Sequence, residues 1–212
     1  MKRRDFSLEI SICQIRKIPV WLPEMENLTT LDLSSNALSG EVCIKDMPRL
    51  EKLSIMNNPL KAVRVENLPA LRICNLSHNR LRKATFRGVN NLEHLRISYN
   101  SLRELELKRA PNLRELHISN NQFSTLSLEH LQSLEELDFR KNLIMELPTW
   151  LSHLSHLKVL RLQNDFLTDL TKLLSFPHLE SVCLQSREFS KKNEKILKEL
   201  EDKGIEIQFP FH

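Results

Sequence analysis

Apolar residues recur along this chain in the spacing L-x-x-L-x-L-x-x-N-x-L. The first clear copy is Leu28, Leu31, Leu33, Asn36 and Leu38, and the fourth is Leu92, Leu95, Ile97, Asn100 and Leu102. The register runs on through Leu134, Leu137, Phe139, Asn142 and Ile144. It then loosens at Leu157, Leu160, Leu162, Asp165 and Leu167, and again at Leu179, Val182, Leu184, Arg187 and Phe189. An earlier, degenerate copy fits Leu8, Ile10, Cys13 and Ile15. The ninth positions, at 13, 36, 58, 79, 100, 121, 142, 165 and 187, step by 21 to 23 residues over nine turns.

Two apolar residues around one polar residue predict a short strand with its leucines turned inward and the middle residue turned out. The asparagine is expected to turn inward as well, because backbone groups left unpaired where the chain leaves a strand need a partner that both donates and accepts. Asp165 lacks the donor and Arg187 the acceptor, so this series is expected to end near them. Two styles of connection follow the strands. Ile18-Pro19-Val20-Trp21-Leu22 and Leu147-Pro148-Thr149-Trp150-Leu151 predict a short helix started by proline. The 21-residue copies, such as Leu102, Leu105, Leu107, Pro111 and Leu113, alternate and predict an extended segment. Past Phe189, Ser190 is an N-cap for a helix reaching Glu201 with a Glu194–Lys198 pair, Gly204 ends it, and Ile205 to Phe209 alternates like a last edge strand.

The repeated motif resembles the leucine-rich-repeat family over residues 5 to 189. The resemblance implies an α/β solenoid: a right-handed horseshoe with about nine parallel concave strands, convex short helices or extended segments, and a C-terminal capping helix plus edge strand. It forms one continuous domain, with an N-terminal cap and degenerate repeat at 1–27, repeats at 28–189 and a C-terminal cap at 190–212. The tight 21-residue form is similar to repeats of bacterial surface and effector proteins, and the 23-residue Pro-containing form to intracellular repeats.

Composition narrows the function. Lys and Arg number 31 against 27 Asp and Glu, a net charge of +4 with the signs interspersed, which gives no nucleic-acid footprint. Phe6 to Leu22 is interrupted by charge, so no signal-peptide core is expected, and no stretch predicts a membrane span. Four cysteines without CxxC spacing read as free thiols: Cys74 in the core, Cys43 at the convex surface, and Cys183 exposed on the concave face with no histidine as base. Only three glycines occur, and no catalytic triad, phosphate loop or carboxylate pair is present. His78, His94 and His117 supply no full metal ligand set. No catalytic residue, metal or cofactor is therefore expected.

Function then falls to the outward positions, whose nine strands at about 4.8 Å spacing span roughly 40 Å, enough for a protein interface. Arg96, Tyr99, His117, Arg140 and Arg161 are of the types that anchor interfaces, with His94, Glu115, Glu136 and Asp138 interleaving charge and Phe166 and Leu143 extending an apolar edge. The expected function is a monomeric, cytoplasmic module that binds a partner protein on its concave face, and the 21-residue repeats resemble those of bacterial effectors acting in a host cell. The alternative is a substrate-recognition or regulatory subunit of an enzyme complex such as a ubiquitin ligase. Neither nucleic acid nor membrane is an expected partner.

Overall fold

The computed structural model describes residues 6–162, 169–184 and 189–209. In chain order the strands of the first half are β1 (Phe6–Glu9), β2 (Leu28–Asp32), β3 (Gly40–Lys45), β4 (Lys52–Ser54), β5 (Leu60–Glu66), β6 (Ile73–Asn75) and β7 (Lys83–Arg87). They are followed by β8 (His94–Arg96), β9 (Glu104–Leu107), β10 (Glu115–His117), β11 (Glu136–Asp138), β12 (Val159–Leu162), β13 (Ser181–Leu184), helix α1 (Lys191–Asp202) and β14 (Glu206–Gln208). Among the described residues the concave sheet has ten parallel strands in the order β1-β2-β4-β6-β8-β10-β11-β12-β13-β14: nine repeat strands closed by the C-terminal edge strand. None of the described helices is long and apolar enough to cross a membrane.

Register stacks each strand leucine on the next, so Leu53, Cys74, Leu95, Leu116, Leu137 and Leu160 form one buried file. Each fully buried leucine contributes roughly 1.5–3 kcal/mol. Phe86, Phe123 and Phe139 fill the wider parts of the core. The convex side of the 21-residue repeats is a second parallel sheet, β3-β5-β7-β9. Its inward residues, Val42 and Ile44, Val63 and Val65, Ala84 and Phe86, are buried, as β-branched and aromatic residues on a pleated face favour.

The convex sheet stops one repeat earlier than the alternation suggests, because Ser124 to Glu129 forms no strand. His130 Nε2 lies 2.8 Å from the Leu107 carbonyl, the place that Lys108 N takes on the Phe86 carbonyl one repeat before. A side chain thus ends the ladder where a fifth strand would have continued it. The connections near the prolines are 3-10 turns, Leu22–Glu24 and Thr149–His153, since so few residues suit the tighter winding. Ser190 caps α1 as expected, accepting from Asn193 N, and Ile196 and Leu200 seal the core. The i,i+4 pair formed there is Glu199–Lys203 at 3.0 Å and not Glu194–Lys198.

The asparagines tie these layers together. Asn121 Nδ2 donates to the carbonyls of Ile97 (3.1 Å), Ile118 (3.1 Å) and Ser119 (3.3 Å), and its Oδ1 accepts from Leu102 N at 2.9 Å. Asn58, Asn79, Asn100 and Asn142 repeat the arrangement. Asp165 and Arg187, where the series was expected to end, lie outside the described residues. Beyond them Asn193 of α1 offers its Oδ1 to Leu170 N at 3.3 Å, so the cap supplies the same acceptor.

Asn121→Ala strands the Leu102 amide and takes one of two donors from each of the Ile97, Ile118 and Ser119 carbonyls, and is expected to destabilise the chain by about 2 kcal/mol. Asn121→Asp should do no better, because a carboxylate would face those carbonyls. Urea unfolding midpoints at unchanged m-value measure both.

Candidate functional site

Parallel register turns the outward positions of β8, β10, β11 and β12 into two rows. One is His94, Glu115, Glu136 and Val159; the other is Arg96, His117, Asp138 and Arg161. In the first row two carboxylates stand side by side, which is unfavourable alone. Each has a basic neighbour: His94 Nδ1 lies 2.9 Å from Glu115 Oε2, Arg96 approaches the same oxygen at 3.7 Å, and Arg161 bonds Glu136 Oε1. His117 Nε2 is 3.1 Å from Glu136 Oε1 but off the line of a hydrogen bond, so that buried nitrogen stays without one. Burial lowers the His117 pKa and outweighs the attraction of Glu136 and Asp138, which favours the neutral ring.

Beyond the strand ends, the residue before each ladder asparagine is left-handed: His78 at φ 57°, Tyr99 at 56°, Asn120 at 54° and Lys141 at 51°. The turn points these side chains to the rim of the face. The His78 and Tyr99 rings stack with centroids 4.4 Å apart and planes 9° apart, and Tyr99 remains 51% exposed. A cleft of about 280 Å³ opens between this stack and Lys141, with Arg96, His117, Ser98 and Arg140 among its lining. The structure therefore gathers Arg96, Tyr99, His117 and Arg140 at one cleft, with His94 at the far end of β8 and Arg161 on the neighbouring β12. Phe166 lies outside the described residues. Leu143 is half exposed.

Two expectations are corrected. Asp138, read as presenting its charge to a partner, is 3% exposed. Arg140, two residues on, folds back over it with Nε to Oδ1 at 2.9 Å and Nη2 to Oδ2 at 2.8 Å. Burial pushes the Asp138 carboxyl up, but the Arg140 fork outweighs it and holds the pKa below the usual value. Cys183, read as exposed, is 5% exposed; Arg140 reaches across to it, and burial raises its thiol pKa. A small side chain in an outward column is overlaid by the long ones of neighbouring repeats. Cys43 is only partly exposed, and burial raises it also. The three histidines go separate ways, to Tyr99, Glu115 and Glu136. Lys141 and Asn120 were missed as site residues; the signal was their place directly before the ladder asparagine.

Asp138 is held below the ordinary carboxylate range, so it stabilises the fold above about pH 4 and loses that contribution as pH falls further. His117 is held below the ordinary imidazole range, so its protonation opposes folding as pH drops below about 6.5. Melting temperature should therefore fall in two stages on acidification. Asp138→Asn reduces the lower stage, to which Glu93, Glu135 and Asp169 also contribute, and costs about 2 kcal/mol at neutral pH by stranding Arg140, while His117→Gln removes the upper one. Melts of the three proteins from pH 7.5 to 3 read this directly.

Three family matches fall on this architecture. Residues 112–199 match the family described as leucine-rich repeat and WD repeat-containing protein 1, LRR, and residues 66–123 and 24–41 each match a leucine-rich-repeat family. None of the curated proteins matches the sequence. Among solved structures, the LRIM1 leucine-rich repeat domain superposes with a TM-score of 0.66 at 18% identity, over 88% of this chain and 64% of that one. YopM, a leucine-rich effector protein from Yersinia pestis, gives 0.58 at 21% identity, over 87% and 61%. The functional domain of InlJ from Listeria monocytogenes gives 0.51 at 18%, over 86% and 49%. The chain spans less than two thirds of each, and at these identities what is shared is the fold, a general protein–protein interaction scaffold in families that are typically non-enzymatic. With its asparagine ladder, its stacked parallel strands and family matches running unbroken from 66 to 199, this chain is a leucine-rich-repeat protein.

Proposed function

We propose that the chain binds a partner protein on its concave face, centred on the cleft between the His78–Tyr99 stack and Lys141, and that it acts by binding and not by catalysis. The observation that carries this reading is the state of Arg96 and Tyr99. Arg96 stands on strand β8 and Tyr99 at the corner just beyond it, their side chains are not consumed by the scaffold, and they belong to the residue types that dominate binding energy when a partner dehydrates them. Arg96 keeps a side-chain exposure of 54% and, among the described residues, only the loose contact with Glu115. The buried leucines and asparagines behind them leave these positions little freedom to rearrange, which limits the entropy lost on binding. Action in the cytoplasm as a monomer belongs to the same proposal. So does a bacterial effector role, which is supported by the 21-residue repeats and by the fold shared with an effector protein of Yersinia pestis.

Changing Arg96, Tyr99 and Arg161 together to Ala is expected to weaken partner binding by about a hundredfold or more, while the melting temperature moves by only a few degrees, about what loss of the Arg96–Glu115 and Arg161–Glu136 ion pairs allows. Crosslinked pulldowns from lysate with wild type and variant in parallel make the comparison. A partner retained equally by both places the interface elsewhere.

A further inference from the structure

The charges of the concave surface are sorted by row. Glu115 and Glu136 stand toward the N-terminal ends of their strands, and each already has a basic neighbour. Toward the C-terminal ends, the two positions before each ladder asparagine carry no acidic residue, from Ser34 and Ser35 through Ser98 and Tyr99 to Arg140 and Lys141. The one carboxylate lining the cleft, Asp138, is buried and cancelled by Arg140. Two cations are left over: Arg96, held only at 3.7 Å by Glu115, and Lys141, which has no ion pair among the described residues. Between them Ser119 Oγ donates to Ser98 Oγ at 3.0 Å, which leaves the Ser98 hydroxyl hydrogen for a ligand.

We propose that this cleft seats an acidic side chain, Asp or Glu, of the partner protein, with its carboxylate between Arg96 and Lys141 and its neighbouring atoms against the His78–Tyr99 stack. The inference rests on the concave-face reading and names the chemistry of what that face takes. A carboxylate entering the cleft meets a guanidinium that can bond it through two nitrogens, an ammonium and a hydroxyl, and no uncompensated acid repels it. A basic side chain meets two cations, Arg96 with only its loose Glu115 contact and Lys141 with no ion pair among the described residues, and is rejected, which is how charge selects among partners. The cations are gathered in one small cleft and the net charge of the chain is only +4. That suits a single carboxylate better than a polyanion, which needs a continuous basic track.

The test is an NMR titration of the full chain with three blocked tetrapeptides, of aspartate, asparagine and lysine. The aspartate peptide is expected to shift amide signals around Arg96, Tyr99, Asn120 and Lys141, and the other two to leave them in place. R96Q with K141Q should weaken its binding by about tenfold. K83Q with R87Q, which removes the same charge from the convex sheet, should not. Equal shifts from the asparagine peptide, or equal losses in the two double variants, overturn the assignment. If the aspartate peptide fails to bind while the triple Ala variant still loses its captured partner, the carboxylate assignment falls and the concave-face reading stands. If partner capture survives the triple change, that reading falls too.

Discussion

Where each concave strand ends, the backbone must turn through the interior of the solenoid, and the buried carbonyls at that turn need more donors than the strand ladder supplies. One primary amide per repeat answers this. Its two hydrogens are shared among carbonyls of its own corner and of the repeat before, and its oxygen takes an amide of the repeat before, as at Asn100 with Leu76, Ile97, Ser98 and Leu81. Since every such residue bonds the preceding turn, repeats are coupled to their neighbours by directional bonds as well as by leucine contacts, which is the nearest-neighbour pattern that makes a solenoid cooperative. Neither aspartate nor leucine can substitute, the first for want of donors and the second for want of both functions.

That constraint reaches the surface. For the amide to point inward, the residue before it adopts a left-handed backbone, and its own N–H continues the concave ladder, as Tyr99 N does to the Ser119 carbonyl at 3.0 Å. The same turn that buries the asparagine throws its neighbour outward onto the rim. Scaffold and recognition surface are thereby set by adjacent residues, and the depth and spacing of the cleft follow from the ladder.

Much of this is legible in the sequence because the repeat assigns inside and outside position by position. The files of leucines, the asparagine role, the extended convex segments and the capping helix all follow from spacing and local chemistry. What spacing does not carry is the reach of long side chains. Nothing in the period says that Arg140 will fold onto Asp138 two residues back and cover Cys183, or that Glu136 will find Arg161 one repeat on. The end of the convex sheet escaped for a similar reason: Leu126 and Leu128 alternate as Leu105 and Leu107 do, and the difference is made by one imidazole, His130, on the Leu107 carbonyl. The same limit hid Lys141, whose column is polar in every repeat but the degenerate first, where Ile12 stands, and whose distinction is that no acid among the described residues pairs with it.

The choice of residues at the left-handed corners carries a further weight. Asparagine tolerates positive φ well, and Asn57 and Asn120 occupy such corners with little penalty. A ring or a long cation there is held against local preference, at about 1 kcal/mol or more apiece. Tyr99 and Lys141 are two such residues and both border the cleft, beside His78, a type that enters this region more readily. Ile12, in the degenerate first turn, is the same kind of departure away from it. Local preference and fold agree through most of the chain, so places where they part are where a demand other than folding is being met. At the cleft the demand is visible in the chemistry that results. Two flat rings and an unpaired ammonium are fixed in place by a backbone that only the ladder behind them makes tenable, so the rigidity of the binding surface and the stability of the core have one physical source.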